Sequence, residues 1–232
     1  MKLQTLAELN AERAARRPVI VVTDTANGEQ RLVRAKDFAA DPLRAELSKQ
    51  LRMGKSGMVE AAGKKLFLNV YAPTARLVIV GAVHISQALV PLARSLDYDV
   101  TVVDPRTAFA SPERFPDVPL IAEWPDVALP PLNIDHYTAF VALTHDPKID
   151  DPALLHAFER DCFYIGALGS RKTHAKRAER LKTQGAKDSD IARIHAPIGL
   201  SIGAVSPSEI AVAIMAEITA QLRLPKEKEA AA

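Results

Sequence analysis

Residues 162–177, CFYIGALGSRKTHAKR, hold the densest chemistry in the chain. Gly166 and Gly169 fall between an apolar run of strand length and a helical pattern, Ser170 is placed to cap that helix, and Arg171 and Lys172 occupy its first turn. Cations at the positive end of a helix cost ~0.3–1 kcal/mol, where an anion would be stabilising. A bound phosphate reverses that sign: free N–H groups, glycines that admit a close approach and two cations together compose an anion site. The competing reading is a solvated basic face, because Lys172, Lys176 and Arg180 recur every four residues.

Other loops offer groups that could line the same ligand. GAVHIS, residues 81–86, follows an apolar run where a nucleotide-binding fold carries GxGxxG to let backbone N–H groups approach a pyrophosphate. Only Gly81 of that fingerprint is present: Val83 puts a branched side chain at the closest approach, and Ser86 replaces the glycine that permits tight helix packing. Ordinary NAD(P) binding is therefore not expected here, and Gly81 could serve a turn alone. His84 could meet an anion or cap the turn. VVDPR places Asp104 about where a ribose-binding acid sits, with Arg106 beside it, although Asp-Pro pairs also open turns. In THDPKIDD, residues 144–151, His145 and Asp146 could orient a ligand or bind a metal, although the third ligand a metal requires has no spacing signature. Asp151 reads as the cap of a helix opened by Pro152. Cys162 reads as a small core residue, unless its thiol is exposed with a depressed pKa. Gly199 and Gly203 precede a helix that opens Ser206, Pro207, Ser208, Glu209, a capping box with proline at the first position. That loop could fold over a site or simply connect two elements.

Holding these loops at one edge calls for alternating strands and helices. From Arg76 onward, strand-length runs at 77–80, 100–103, near Leu120, at 140–143 and at 163–165 alternate with helical patterns through Leu89, Leu92 and Leu96, at 152–159, 171–184 and 207–222. Such βαβ units build a doubly wound parallel sheet, which places ligands at the carboxyl ends of its strands where strand order reverses. Pro91 predicts an irregular first helix. Before Tyr71 the pattern is different: strands at 19–23, 31–34, 58–62 and 65–71, and a helix from Asp41 with Leu43, Leu47 and Leu51 on one face. Pro73 marks a hinge, giving a small α+β domain over 1–73 and the larger domain over 74–232. The charged, alanine-rich tail at 226–232 is expected to fray.

Composition narrows the function classes. The chain has 232 residues, and 30 basic against 28 acidic residues give a net charge of +2, far from the excess of a general nucleic-acid binder. One cysteine excludes an internal disulfide and a thiolate zinc cage. No apolar leader is visible and no run is long enough to span a bilayer, so a cytoplasmic protein, without membrane or nucleic-acid partners, is expected.

The motifs GAVHISQAL, VTVVDPRTAFASPERFP, ALTHDPKIDD, YIGALGSRKTHAKR and IHAPIGLSIGAVSPSEIAVAIMAEI, in this order, resemble those of the xanthine dehydrogenase accessory proteins of the XdhC/CoxF type. The resemblance covers most of residues 76–222, and YIGALGSR and HAPIGLSIGA are its specific part. It implies an α/β fold, a Rossmann-like parallel sheet with helices on both faces behind a small α+β N-terminal domain, and a homodimer. It further implies a non-catalytic chaperone that binds molybdenum cofactor, as molybdopterin or its dinucleotide, supports its sulfuration by a cysteine desulfurase, and delivers it to apo-xanthine dehydrogenase or a related molybdenum hydroxylase. Set beside the loops read above, such a cargo is expected to meet Gly166, Gly169, Ser170, Arg171 and Lys172 at its phosphate and Asp104, Arg106, Thr144 and His145 beside its pterin, with Gly81 and His84 nearby and the loop at Gly199 closing over. An NAD(P)-dependent oxidoreductase is the alternative, but the chain has no YxxxK pair; a P-loop transferase would need GxxxxGK[ST], which is absent.

Overall fold

The computed structural model describes residues 2–225; the tail at 226–232 lies outside them. Backbone contacts divide the described chain into two units, residues 2–73 with 223–225, and residues 74–222.

In the first unit, α1 (Leu3–Ala14), β1 (Val19–Asp24), β2 (Gln30–Arg34), a 3-10 segment (Ala35–Ala40), α2 (Arg44–Met53), β3 (Gly57–Ala61) and β4 (Lys64–Tyr71) follow in order. The strands form an antiparallel sheet in the order β2-β1-β4-β3. Ile20, Leu47 and Leu68 are completely buried in its core, which explains the four-residue leucine spacing of α2. That helix begins at Arg44, three residues later than the sequence suggests, because Asp41 forms a turn in which its carboxylate accepts from the Leu43 N–H. α1 has no counterpart among the expected elements. Leu9 and Glu12 are the residues it buries, too few to leave a periodic signature.

The second unit runs β5 (Arg76–Val80), α3 (His84–Ser95), β6 (Asp99–Val103), β7 (Leu120–Ile121), α4 (Pro125–Ala128), β8 (Thr138–Ala142), α5 (Pro147–Phe158), β9 (Tyr164–Ala167), α6 (Arg171–Thr183), α7 (Asp188–Ile191), β10 (Ile194–His195) and α8 (Pro207–Arg223). All six strands are parallel, in the order β10-β9-β8-β5-β6-β7. Leu77 and Ile79 of β5 enter the core covered by α3 and α8, whereas Val78 and Val80 enter the one covered by α5 and α6. Burial on both faces is why the strands read as unbroken apolar runs. The chain moves outward from β5 to β7 and then returns to β8 on the other side, so strand order reverses between β5 and β8.

α5 departs from expectation. It opens at Pro147, five residues before Pro152, with Asp146 as its cap, the Asp146 carboxylate accepting from the Lys148 N–H at 2.9 Å. Asp151 is therefore not a cap; it lies buried within the helix and accepts two bonds from Arg180, at 2.7 and 3.0 Å.

Candidate functional site

The loops after β5 and β8 meet at the reversal of strand order. Gly81 has φ +120°, and a Cβ there would lie 2.9 Å from Thr144 Cγ2, so glycine is required for the two loops to touch. Ser86, fully buried, donates to the Gly81 carbonyl at 2.5 Å and ties α3 to the loop where a dinucleotide fold would place a third glycine. Val83 precedes α3, and His84 begins it with its side chain exposed.

Asp104, at the end of β6, is completely buried and all its capacity is engaged. One oxygen accepts from the Arg106 backbone N–H and Nε, both at 2.9 Å; the other accepts from Ala82 N–H and Arg106 Nη2, both at 2.7 Å. Burial alone would raise its carboxyl, but the bonds from Arg106 and Ala82 prevail and hold it below the ordinary carboxylate range. No lone pair faces outward for a ribose. Asp104 instead positions Arg106, whose guanidinium lies 4.5 Å above the Phe109 ring and is about a third exposed.

Asp150 organises the loop after β8. Its carboxylate accepts from the Thr144 hydroxyl at 2.6 Å and from the N–H groups of Thr144 and His145 at 3.3 and 3.0 Å, holding His145 at φ +63° with its ring exposed. Burial pushes the Asp150 carboxyl up in spite of these bonds.

In the β9–α6 connection Ser170 caps the helix, as its position in the sequence suggests. Ser170 Oγ accepts from the Thr173 N–H at 3.2 Å, which leaves the first-turn amides of Arg171 and Lys172 without an intrahelical partner. Gly169, at φ +138°, lets the Thr173 side chain pack against it: a Cβ there would lie 3.0 Å from Thr173 Cγ2 and 3.7 Å from Arg177 Nη2. Gly166 is different: it is buried inside β9, and its missing Cβ makes room for Ile198 and Tyr164 rather than for a ligand. The basic cluster of the sequence also divides. Arg180 and Lys182 pair with Asp151 and Asp188, and Arg177 is buried, 3.9 Å from Asp150; Arg171, Lys172 and Lys176 remain exposed, with no ion pair among the described residues.

Sequence reasoning misses a second polar cluster. Glu217 on α8 accepts from the Tyr164 hydroxyl (2.5 Å) and the Gly199 N–H (2.8 Å) and pairs with His195 Nδ1 (3.1 Å), while the Tyr164 and His195 rings stack at 4.6 Å. Burial would raise the Glu217 carboxyl, but the bonds from His195, Tyr164 and Gly199 bring it below its ordinary range. Glu217 lies in an otherwise apolar stretch of α8, and that lone acid is the available signal. Gly199 is thereby fastened to α8. Cys162 is buried, its thiol pushed up to about 12 chiefly by burial. Among the described residues there is no group of three metal-ligating side chains and no helix long and apolar enough to cross a membrane.

These features define a doubly wound, Rossmann-type α/β domain with a degenerate glycine fingerprint. The chain belongs to the XdhC family: the model of the XdhC Rossmann domain matches residues 77–218. It is 33% identical over 154 residues to a probable xanthine dehydrogenase subunit from Bacillus subtilis (strain 168), covering 66% of this chain and 44% of that protein. It is 31% identical over 159 residues to the molybdenum cofactor insertion chaperone PaoD of Escherichia coli (strain K12), covering 68% and 43%. A crystal structure of a xanthine dehydrogenase from Bacillus halodurans superposes with a TM-score of 0.67 at 25% identity, over 97% of this chain and 65% of that one. The chain spans less than half the length of the curated relatives it matches.

Proposed function

We propose that this chain is a cytoplasmic, non-catalytic accessory protein that binds molybdenum cofactor as cargo and hands it to an apo-xanthine dehydrogenase or a related molybdenum hydroxylase. The observation that carries the reading is the opening of α6, where two first-turn amides without an intrahelical partner and the exposed cations of Arg171 and Lys172 follow directly on Gly169 and Ser170. A pterin bearing a phosphate or a dinucleotide diphosphate supplies the anion that this arrangement is built to receive. Arg106, Thr144 and His145 stand along the same carboxyl edge and would border the remainder of the cargo.

Sulfuration during the stay is assigned to a cysteine desulfurase. The single cysteine supports this division of labour, since a buried thiol with a raised pKa is a poor sulfur carrier. A homodimer completes the reading. Leu200, Ile202, Val205 and Val212 are exposed apolar side chains that such an association could cover, and light scattering tests it: a monomer would refute the dimer. The oxidoreductase alternative would need a free acid for the ribose, and Asp104 has none to offer.

The deciding experiment denatures the purified protein, oxidises whatever is released and reads pterin fluorescence, with NAD titrated into the native protein by calorimetry. Released pterin and no NAD isotherm are expected. Saturable NAD binding without any pterin would overturn the proposal.

A further inference from the structure

The bulkiest completely buried side chain among the described residues is neither aromatic nor aliphatic but the guanidinium of Arg177, at 2% exposure. Such a group offers five N–H donors and normally meets acceptors on all sides when buried. Here Nη2 donates to the Leu168 carbonyl at 2.7 Å, while Nε and Nη1 have no partner among the described residues. Asp150 does not satisfy them. Its nearest oxygen is 3.9 Å from Nη2, and its carboxylate is already engaged by Thr144 and His145. Burial weakens the charged form of Arg177 and of Asp150 alike, so neither is fully compensated by the other.

The position of the guanidinium supplies the reason. Arg177 stands in the second turn of α6, and side chains on a helix lean toward its N-terminus. Nη2 consequently reaches the residue before Gly169 and lies 3.7 Å from the point where a Gly169 Cβ would be. The guanidinium that carries the two unsatisfied nitrogens therefore lies beside the residues that lead into the N-terminus of the same helix.

We propose that Arg177 is a phosphate ligand, the buried arm of a two-layered site in which its guanidinium, with an N–H of Nε or Nη1 that now lacks a partner, donates to a phosphoryl group at the N-terminus of α6 while Arg171 and Lys172 serve its outer oxygens. The inference rests on α6 being the phosphate end of the site, but not on the identity of the cargo. Arginine suits the place because its rigid planar fork, Nη2 with one neighbouring nitrogen, matches two oxygens of one phosphoryl group, whereas lysine offers a rotatable point charge.

The test titrates cytidine monophosphate and, separately, inorganic orthophosphate into the full chain by calorimetry, with melting followed in parallel. Wild type is expected to bind and to melt higher with ligand. Arg177→Met should lose roughly tenfold or more in affinity together with the ligand-induced melting shift, which is read against its own unliganded melting temperature because the bond to the Leu168 carbonyl is lost as well. Arg177→Lys keeps the charge and should bind more weakly than wild type; it decides the matter should the methionine variant not fold. Tighter binding of the nucleotide identifies a phosphate ester as the natural ligand, and equal binding identifies free phosphate; with Arg177 dependence, either supports the assignment. Wild-type affinity in Arg177→Lys or Arg177→Met, or no binding by wild type, would overturn it. Absence of pterin alongside Arg177-dependent phosphate binding would defeat only the cargo proposal, whereas pterin retained by Arg177→Met would defeat only this one.

Discussion

Asp104 and Asp150 are buried carboxylates at the carboxyl edge of the same sheet, and the protein answers them differently. Asp104 receives four hydrogen bonds, three of them from Arg106, and its carboxyl is held low. Asp150 receives three from uncharged groups, stands 3.9 Å from a guanidinium, and is pushed up. Asp104→Asn should therefore weaken two charge-assisted bonds to Arg106 and destabilise the second unit by about 1.5–3 kcal/mol, measured by denaturant unfolding. It should not confer NAD binding, since the asparagine would still lie beneath Ala82. The spacing VVDPR locates this acid correctly at a strand's carboxyl end. What it cannot reveal is that the Ala82 amide, 22 residues toward the N-terminus, takes the lone pair a ribose would need. That fact belongs to the pairing of β5 with β6, and local sequence does not encode it.

Among elements, those with redundant signals are legible in the sequence and those held by one or two distant contacts are not. α6 is readable because glycine, serine cap and basic first turn all speak for one boundary, and α8 because Ser206 and Glu209 exchange cap bonds as their spacing predicts. α5 is displaced from its expected start because two prolines compete to open it; Pro147 wins with the Asp146 cap, and Pro152 is carried within the first turns. α1 leaves almost no trace in the sequence, for it is secured by Leu9 against Val19 and Val21 and by Glu12, which accepts from Arg17 at 2.6 Å and Arg34 at 2.8 Å. The bonds from Arg17 and then Arg34 lower the Glu12 carboxyl from 4.5 to about 2. A depressed folded-state pKa contributes stability that is complete above the unfolded value and disappears as pH falls through the folded one. Melting of the first unit should accordingly drop as pH descends from 4.5 toward 2, and Glu12→Gln should lower melting at neutral pH while flattening that acid limb. Circular dichroism melts of both proteins across this range provide the check; an identical acid limb in the variant would rule out Glu12 as its source.

For the whole molecule, a net charge of +2 says little about where cations act. Folding settles it by pairing: Arg180 and Lys182 are neutralised by Asp151 and Asp188, Arg177 is withdrawn from solvent, and Arg171 and Lys172 are left exposed on the loop edge of a sheet whose order reverses two strands away. The alternation of apolar strands and helices is enough to anticipate that sheet, because burial on both faces writes itself into sequence as unbroken apolar runs. Which cations survive pairing is not readable, since their partners arrive from other helices. If the two exposed cations draw the cargo in, the double change Arg171→Glu, Lys172→Glu should abolish binding of a phosphorylated ligand. Thermal melting should place its stability within about 1 kcal/mol of wild type, since neither side chain has an ion-pair partner among the described residues. Raising salt from 0.1 to 1 M shortens the screening length from about 10 to about 3 Å, so it should weaken wild-type binding without eliminating it, a buried guanidinium being screened far less than its exposed neighbours. Calorimetry at the two salt concentrations separates these contributions: unchanged affinity in the double variant would remove Arg171 and Lys172 from the site, and salt-independent wild-type binding would place all of the recognition in the buried layer.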